Sequence, residues 1–372
     1  MGGMLPVIIH LDLDCFYCQV EQKRLGISRD VPCAVQQWSN LIAVNYKARE
    51  FGINRHLSAA EAKSLCPQLQ CLHIPTFLLS EPTLPAAYHS NPTSARHKAS
   101  LEPYRRASKE IFNILQDTFG NVEKAGTDEA FIDVTDLVHN QLSASNPEYL
   151  NLIENKDLKI EFDSCKIDWE DLGALNINIE SQYINRLDYI NDLRVKEGAR
   201  IARDFRRKLS QLLDYEMSAG ISHNKMLAKL GSAYNKPNNQ TIIRSCQVLN
   251  FMKTVPLRKI RFLGGKLGSE LSKIEGAETA GDLWRFTLEE LEYKLGSCDT
   301  AKWVFQIVRG IDTEGIKEKE LAKSFMSSKS FPSGIEFADM EEWITVLVTE
   351  LLMRVTEDFE ENSRWPKTLT VS

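Results

Sequence analysis

The chain has 372 residues, 43% of them hydrophobic and 26% charged, values typical of a globular protein with more than one domain. No run of about 18 apolar residues occurs, and no basic stretch leads into an apolar segment at the N-terminus, so we expect neither a membrane span nor a secretory signal. The net charge of −6 argues against a polyanionic partner unless charge is segregated, and basic clusters do occur at 96–98, 105–106, 203–208 and 258–261. The eight cysteines lack the spacing of a zinc site, so we expect reduced thiols in an intracellular protein.

Hydrophobic periodicity predicts alternating strands and helices in the first part of the chain. In chain order we expect a strand at 7–11, a helix at 14–24, a hairpin of strands at 32–37 and 41–45, helices at 46–51, 58–66 and 101–119, and a strand at 130–134. The stretch 73–100 contains four prolines among Ser, Thr and Asn, and this composition predicts a loop or crossover without regular elements.

The second part begins with a polar, acidic insertion at about 140–185, whose structure the pattern does not determine. It continues with one or two helices over 184–213, a strand at 215–221, a helix at 223–233, an all-helical segment over 245–310, a charged linker at 314–319, and a β-α-β unit formed by 329–332, 340–359 and 367–371. The alternation of strands and helices before residue 243 predicts an α/β layer with one helix-covered face.

Acidic residues stand at one end of each of two predicted strands. Asp12 and Asp14 end the first strand, and Asp128 and Glu129 stand at the start of the strand that continues to Asp133. If these strands are neighbours, their carboxylates form a hard-oxygen site suited to Mg²⁺. Two such ions about 4 Å apart can clamp the attacking and leaving oxygens of a phosphoryl transfer. Each acid alone would equally fit an ordinary strand-capping role, so the prediction depends on the constellation.

Two further motifs have the chemistry of phosphate binding. Tyr46 and Arg49 are three residues apart on a predicted helix, so both can hydrogen-bond one phosphate. Lys236 precedes Pro237, which keeps it extended in an exposed turn where its charge can meet a polyphosphate. Taken alone, the first motif also fits an amphipathic helix and the second an ordinary surface turn.

The segment 263–268 and one aromatic residue offer weaker signals. The small residues Gly264 and Gly265, with Lys266, predict a turn between helices whose N–H groups either contact a DNA phosphate or serve only the turn. It is not a P-loop, because Lys266 is followed by Leu267 rather than Ser or Thr. Tyr17 follows Asp12 by five residues and is either a core aromatic or a residue beneath a bound sugar.

Taken together, these strings resemble the Y-family DNA polymerases, and within that family the eta branch, particularly its fungal members. The matching strings include IHLDLDCFYCQVE at 9–21, IAVNYKAREFG at 42–52, DEAFID at 128–133 and SAGISHNKMLAK at 218–229. Others lie at 100–108, 235–241 and 258–268. They occur in the order of the family and span nearly the whole chain.

The resemblance implies an α+β multidomain fold, a right-handed polymerase with an α/β palm, small α+β fingers, a helical thumb and a truncated β-α-β little finger. The expected domains are the first palm strand at 1–16, fingers at 17–80, palm at 81–242 including the acidic insertion, thumb at 243–312 and an incomplete little finger at 318–372. The family motifs for ubiquitin and the sliding clamp are absent from the chain, although both partners are expected of the family.

The resemblance also implies roles for individual residues. It implies two Mg²⁺ ions, with Mn²⁺ as a substitute, held by Asp12, Asp128, Glu129 and the Leu13 carbonyl, whereas Asp14 is not usually a direct ligand. It assigns nucleotide binding to Cys15, Phe16, Tyr17, Tyr46, Arg49, Arg55 and Lys236, with Tyr17 at the sugar-gating position. It assigns template or DNA contacts to Gln37, Gly264, Gly265 and Lys266.

The implied function is DNA-directed translesion synthesis in the nucleus, with dNTPs and primed, damaged DNA as substrates and UV-induced pyrimidine dimers as the lesion. The chain has Gly126 and Thr127 where the family usually has Ser and Ile before the acid pair, a departure that concerns the local backbone and not the carboxylates. Two alternatives are a sister polymerase of the iota or dCMP-transferase type, and a truncated docking protein without catalytic activity.

Overall fold

Each of the two units of the fold is assembled from segments that are far apart in the sequence. The computed structural model describes residues 4–155, 167–170, 172, 174–175, 185–274, 276–317, 321–331 and 337–371. The first unit combines Met1–Asp14 with Ile111–Lys319, and the second combines Cys15–Glu110 with Glu320–Ser372. None of the helices in the described residues is long and apolar enough to span a membrane.

The strands of the described residues are β1 Ile8–Leu13, β2 Cys33–Gln37, β3 Asn40–Val44, β4 Gln70–His73, β5 Thr76–Leu78, β6 His97–Ala99, β7 Val122–Lys124, β8 Glu129–Asp133, β9 Ala174–Leu175, β10 Met217–Ser222 and β11 Gln240–Ile242. The α-helices are α1 Phe16–Leu25, α2 Tyr46–Arg49, α3 Ala59–Leu65, α4 Glu102–Phe119, α5 Thr135–Ser145, α6 Pro147–Glu154, α7 Arg186–Leu213, α8 Lys225–Ser232, α9 Val248–Lys253, α10 Lys266–Lys273, α11 Leu288–Leu295, α12 Cys298–Ile307 and α13 Phe337–Asn362.

The main sheet of the first unit has the strand order β7-β8-β1-β10-β11-β9. β1 lies inside the sheet and pairs antiparallel with both β8 and β10. Its apolar residues Ile8, Ile9 and Leu11 are buried, which is why a continuous apolar run predicted this strand correctly. β11 runs parallel to β10, and β9 extends the sheet from within the acidic insertion.

Helices cover both faces of this sheet, so the expectation of one covered face is wrong. A Cβ atom on Gly220 would lie 1.8 Å from the carbonyl oxygen of Ala228, so α8 packs directly on the face to which Gly220 belongs. A Cβ on Gly198 of α7 would lie 3.4 Å from the side chain of Ile221. Because adjacent strand residues point to opposite faces, α7 and α8 pack on opposite sides. The residue pattern of a single strand cannot reveal that both faces are covered. The helix α7 follows the acidic insertion, and its position depends on the assembled sheet.

The segment from residue 245 to 310 is helical, as predicted. It contains α9 to α12 and short 3₁₀ turns, which bury Leu271, Leu291 and Val304 in one apolar core. Thr287 and Glu290 form a reciprocal capping box that begins α11, and Gly296 ends this helix in the left-handed conformation. Such local signals explain why the sequence predicted these helices well.

The second unit contains a three-stranded sheet, β3-β2-β4, and the predicted hairpin of β2 and β3 is confirmed. Two helices follow the hairpin: the Asn45 side chain caps α2, and Ser58 with Glu61 forms the capping box of α3. The prediction that 73–100 has no regular element is wrong. β5 and β6 lie in this stretch and pair antiparallel with each other. Strands of three residues are too short to show periodicity, and each forms only because the other supplies its hydrogen bonds.

The predicted C-terminal helix is confirmed as α13, but the β-α-β unit is wrong in the described residues. Residues 329–331 and 367–371 form no strand there. Instead, the Lys329 ammonium donates to the carbonyl oxygen of His97 at 3.0 Å. α13 packs by Trp343 and Val346 against Phe77 of β5. Buried Lys98 and Glu350 also form an ion pair that joins β6 to α13.

The acidic insertion begins with helices. α5 and α6 contain its first residues, and α6 begins with Pro147 after the capping side chain of Asn146. Glu161 and Asp163, two of the acids that define the insertion in the sequence, lie outside the described residues.

Candidate active site

The acidic residues of the first unit meet where β1 and β8 pair. Asp12 of β1 lies directly opposite Glu129 of β8 in the strand register. The backbone N–H of Leu13 donates to the carbonyl oxygen of Asp128 at 2.8 Å, so Asp128 adjoins the same strand end. The two strands predicted from the sequence are therefore neighbours, and they bring three carboxylates together.

Burial and mutual repulsion act on these acids. Burial raises the pKa of Asp12 above its ordinary value, although the nearby Lys236 opposes this shift. Burial also raises the pKa of Asp128, and the charge of Glu129 raises it further. A cation between these groups would offset both the lost hydration and the repulsion.

Glu129 differs because it has two protein partners. Its Oε2 forms an ion pair with the Lys229 ammonium of α8 and lies 3.3 Å from Nε2 of the buried His10. The contact with His10, followed by that with Lys229, lowers the pKa of Glu129 to about 2, so this carboxylate is ionised at neutral pH. Burial lowers the pKa of His10 below its ordinary value.

Lys236, the predicted triphosphate ligand, contacts two acids of the first unit. Its ammonium pairs with Asp12 and lies 3.2 Å from Oδ1 of Asp14. Burial would lower the pKa of Lys236, but the charges of Asp12 and Asp14 raise it above the ordinary value. The lysine is therefore charged and stands beside the carboxylates.

Asp14 holds the turn that contains Lys236. Its carboxylate is buried and accepts hydrogen bonds from the Ser218 hydroxyl at 2.9 Å and from the backbone N–H of Asn238 at 2.7 Å. These bonds tie the end of β1 to the turn after α8. Asp14 thus has a structural part in the arrangement, in keeping with the family pattern.

Gly126 explains how the unusual Gly-Thr pair fits before the acids. The N–H groups of Ala125 and Gly126 both donate to the carbonyl oxygen of Glu129, at 3.0 and 3.3 Å. A Cβ atom on Gly126 would lie 3.1 Å from Cγ of Glu129. Glycine therefore lets this loop fold closely over the Glu129 side chain.

The donor set suits a divalent metal. Three carboxylates and the Leu13 carbonyl are hard oxygen ligands, which Mg²⁺ and Mn²⁺ prefer. In the described residues no group of three or more His, Cys, Asp or Glu side chains is arranged so that it could hold a metal ion. Asp12 and Glu129 are paired with lysine ammonium groups. The residue types fit the ion, and binding would require these lysines to release carboxylate oxygens.

The predicted nucleotide contacts Cys15 to Tyr17 lie in the second unit at the start of α1. Cys15 precedes the helix in the left-handed conformation, with φ of 39°, and Phe16 is buried. The ring of Tyr17 stacks on that of Tyr104, with centroids 4.0 Å apart and planes at 16°. The Tyr104 hydroxyl donates to the buried carboxylate of Glu21 at 2.8 Å, which fixes the supporting ring.

The remaining predicted contacts are also placed. In the second unit, the Arg49 guanidinium lies 4.3 Å from the centre of the Tyr46 ring, so both side chains share a face of α2. Arg55 is exposed in the turn after α2, and Gln37 ends β2. In the first unit, Gly264, Gly265 and Lys266 are exposed where α10 begins.

Sequence reasoning missed Lys229 and His10. His10 and Asp12 are two residues apart on β1 and so point to the same face, and a polar residue within an apolar strand was the available signal. Lys229 is the last residue of the motif at 218–229 that resembles the family. Its partner Glu129 is 100 residues away, and only the fold brings the two together.

Comparisons with known proteins identify the family of the chain. A model of the impB/mucB/samB family matches residues 11–233, more than half of the chain, and a model described as DNApol eta/Rev1, HhH motif, matches residues 255–311. The chain therefore belongs to the Y-family of DNA polymerases.

Within that family it is similar to DNA polymerase eta of Arabidopsis thaliana, with 35% identity over 98% of this chain and 52% of the relative. It is 31% identical to DNA polymerase eta of Drosophila melanogaster over 98% of this chain and 42% of the relative. It is 28% identical to human DNA polymerase iota over 95% of this chain and 42% of that protein. The chain spans about half the length of these curated relatives.

Proposed function

We propose that this chain is a DNA-directed DNA polymerase of translesion synthesis, which transfers a nucleotide from a dNTP to a primer 3′-hydroxyl and releases pyrophosphate. The observation that supports this most is the pairing of Asp12 with Glu129 across β1 and β8, with Asp128 beside them. The family match and the similarity to eta polymerases support the choice of reaction.

Asp12, Asp128, Glu129 and the Leu13 carbonyl would hold two Mg²⁺ ions, with Mn²⁺ as a substitute. When bound there, such ions lower the pKa of the attacking hydroxyl and neutralise charge that develops on the phosphates. Burial raises the pKa of Asp12 and of Asp128, so their charged forms are disfavoured there, which supports a cation as their partner.

The chain's own residues bind and orient the substrates. Lys236 supplies a positive charge next to Asp12, and the shared face of Tyr46 and Arg49 supplies a phenol and a guanidinium for the triphosphate. Cys15 and Phe16 contact the nucleotide, Arg55 contacts it from its exposed turn, and Tyr17 excludes a 2′-hydroxyl. On the DNA side, Gln37 contacts the template base, and the exposed Gly264, Gly265 and Lys266 bind a phosphate.

The domain layout we propose assigns the first strand and residues 81–242 to the palm, 17–80 to the fingers, 243–312 to the thumb and 318–372 to the little finger. The biological setting we propose is the nucleus, with UV-induced pyrimidine dimers as the lesion. The similarity to eta polymerases of a plant and an insect supports an eta-like enzyme over an iota-like sister enzyme.

Primer extension on primed DNA with Mg²⁺ tests the proposal. The wild-type protein should extend the primer, also across a thymine dimer. The variant with Asp128→Ala and Glu129→Ala should lose incorporation by several orders of magnitude, since loss of metal clamping costs several kcal/mol and each 1.4 kcal/mol is about tenfold in rate.

Asp136→Ala is the matched control, because Asp136 is an exposed acid in the first turn of α5, shortly after the same strand. Circular dichroism establishes that all three proteins are folded. Near-normal extension by the double variant would refute the assignment of the acids. A folded wild-type protein without any extension would indicate the docking role instead, and altered base choice on undamaged DNA would indicate a sister polymerase.

A further inference from the structure

Phe262 is an exposed aromatic residue on a strained backbone in the first unit. It is 64% exposed, and its φ of 69° lies in a region that residues other than glycine rarely adopt. The N–H of Leu263 donates to the carbonyl oxygen of Ile260 at 3.0 Å, so Phe262 is the third residue of a tight turn, where a positive φ usually selects glycine. The chain therefore has a large apolar side chain where the core does not require one and the backbone disfavours one.

The neighbours of Phe262 hold this turn in place. Ile260 and Leu263 are each 1% exposed and belong to the apolar core of the helical segment. A Cβ atom on Gly268 would lie 1.7 Å from the Leu263 carbonyl oxygen, so α10 packs directly on the turn. The Phe262 ring meets the ring of Trp303 edge-on, with centroids 6.3 Å apart. A rigid support thus presents the Phe262 ring to solvent.

The surroundings of Phe262 are cationic. The stretch from 255 to 269 contains no acidic residue. The guanidinium carbon of Arg261 lies 4.6 Å from the centre of the Phe262 ring, and Arg261 also pairs with Glu314 at 3.1 Å. Three further cations of this stretch are exposed: Arg258, Lys259 and Lys266. An aromatic ring among exposed cations suits a ligand that is a polyanion with apolar surface.

Another exposed aromatic residue of the same helical segment has a different setting. Tyr293 of α11 is 90% exposed, but it stands close in the chain to the acids Glu289, Glu290 and Glu292. These carboxylates repel a polyanion, whereas the cations around Phe262 attract one. Charge therefore distinguishes the two aromatic residues and favours DNA as the occupant at Phe262.

The position of Phe262 in the chain indicates which part of the DNA it meets. Residues 264–266, proposed above to bind a DNA phosphate, begin two residues after it. Proteins that bind single strands generally use several aromatic rings on which successive bases stack, but the stretch 255–269 has one aromatic residue. One ring beside one bound phosphate fits the sugar edge of a duplex.

We propose that Phe262 makes an apolar contact with a sugar of the primed duplex, next to the phosphate bound by 264–266. This inference rests on the proposed function, since it takes primed DNA as the ligand. An apolar contact releases no counterions, so it strengthens DNA binding by the same factor at every salt concentration. In this respect Phe262 differs from Lys266, whose contribution changes with salt.

Three substitutions separate the Phe262 ring from the turn that carries it. Phe262→Ala and Phe262→Gly both remove the ring, but only glycine accepts the positive φ without strain. Phe262→Tyr keeps the ring. Tyr293→Ala is the matched control, because it removes an exposed aromatic side chain from the same helical segment. Thermal unfolding establishes that each variant is folded, and Phe262→Gly provides the test if Phe262→Ala does not fold.

The measurement is fluorescence anisotropy of a labelled primed duplex over a salt series. We expect Phe262→Ala and Phe262→Gly to weaken binding by about five- to tenfold at every salt concentration, with the slope of log K against log salt unchanged. Phe262→Tyr and Tyr293→Ala should bind like the wild type. Binding to a single-stranded oligonucleotide of the same length should not show the loss.

Wild-type affinity in the variants without the ring would leave Phe262 to another partner, such as a protein, and overturn the inference. Recovery of affinity in Phe262→Gly alone would overturn it too, since the strained turn and not the ring would then account for the loss in Phe262→Ala. A shallower salt slope would assign the loss to the phosphate contact, and an equal loss on single-stranded DNA would assign the ring to unpaired bases. Either of these results also overturns the inference.

The proposed function has a separate readout. Primer extension by the wild type leaves it intact, whatever the Phe262 variants show. A wild-type protein that neither extends primers nor binds the primed duplex would overturn the proposed function together with the inference.

Discussion

Single residues of the second unit determine whether the proposed sugar gate works. The ring of Tyr17 has a fixed place because it stacks on Tyr104, whose hydroxyl is bound to Glu21. A flat ring that cannot move aside can reject a hydroxyl group, whereas a mobile one would yield to it. A ring held in place is what a sugar gate requires, and substitution of Tyr17 tests whether it serves as one.

Tyr17→Ala should admit ribonucleotides while DNA synthesis continues, because it opens space beneath the sugar without touching the acids of the first unit. We expect the preference for dNTP over rNTP, measured as the ratio of kcat/KM values, to fall about 10- to 100-fold. Tyr293→Ala is the control, since this tyrosine is 90% exposed in α11. An unchanged preference in Tyr17→Ala would show that Tyr17 is only a packing residue.

His223 makes stability depend on pH. Both of its ring nitrogens are enclosed without a hydrogen-bond partner among the described residues, and burial lowers its pKa to about 4. The folded protein therefore keeps His223 neutral below pH 6.5, where the unfolded chain already takes up a proton. The stabilisation is complete above about pH 6.5 and is lost as the pH falls toward 4.

We expect His223 to contribute about 3 kcal/mol to the fall in unfolding free energy between pH 7 and pH 4. His223→Asn should remove this contribution, which urea denaturation at several pH values will measure as a shallower pH dependence. His56→Asn makes the same change at an exposed position and should leave the dependence as it is. Parallel curves for the wild type and His223→Asn would contradict the prediction.

At the scale of elements, the contact of α8 with the sheet determines where Lys229 and Ser232 lie. This contact depends on Gly220, whose missing side chain leaves room for the backbone of Ala228. α8 is also held at its start by the Asn224 side chain, which accepts from the N–H of Leu227. The positions of Lys229 and Ser232 thus depend on Gly220, a residue with no proposed contact to substrate or metal.

Gly220→Ala should destabilise the first unit by about 3 kcal/mol, because the new Cβ would lie 1.8 Å from a backbone oxygen and α8 would have to move. Denaturant titration measures this loss. The control is Gly315→Ala, where a Cβ meets nothing within 4 Å, and it should change stability by less than about 0.5 kcal/mol. Equal stability of the two variants would show that α8 tolerates displacement.

Elements with strong local signals were predictable from the sequence, and those formed by distant partners were not. The apolar run of β1 and the capping residues of α3 are local, so these elements were predicted close to their observed bounds. β5 and β6 were missed because each is stable only beside the other, about 20 residues away in the chain. The prediction of strands on either side of α13 was wrong, because an alternation of polar and apolar residues does not form a strand without a hydrogen-bonded neighbour.

The same distinction applies to the candidate site. Asp12 and Glu129 could be proposed because acids at strand ends are visible in the sequence, and the register places them opposite each other. Lys229 and His10 could not, since Lys229 of α8 and His10 of β1 meet Glu129 only in the folded protein. Lys236 could be proposed as a phosphate ligand, but its pairing with Asp12 could not. A pattern reveals which residues could act, but not which charges neutralise them.

At the scale of the whole molecule, the net charge of −6 has to be reconciled with binding of a polyanion. Much of the positive charge in the candidate site is engaged by acids, as the pairs of Lys229 and Lys236 show. DNA then has to be contacted by cations that are exposed elsewhere in the protein. Lys266 at the start of α10 is an exposed cation of this kind. We therefore expect few contacts between the protein and DNA phosphates, and each should contribute measurably to the affinity for DNA.

Binding to primed duplex should weaken as salt rises, with a slope of about −0.9 in log K against log salt for each phosphate neutralised. Lys266→Ala should make the slope shallower by about 0.9, which fluorescence anisotropy over a salt series can resolve. Lys273→Ala, at the other end of α10, is the matched control and should keep the wild-type slope. Identical slopes for both variants would rule out a phosphate contact at Lys266.

The interleaving of the two units along the chain has a consequence for folding during synthesis. β1 leaves the ribosome first, but its partners β8 and β10 begin at residues 129 and 217. Likewise, Lys98 has to remain without Glu350 until α13 has been made. Nascent chains therefore expose an unpaired apolar strand until β8 and β10 have been made, and an unneutralised lysine until α13 has been made. We expect them to depend on chaperones far more than the folded protein does.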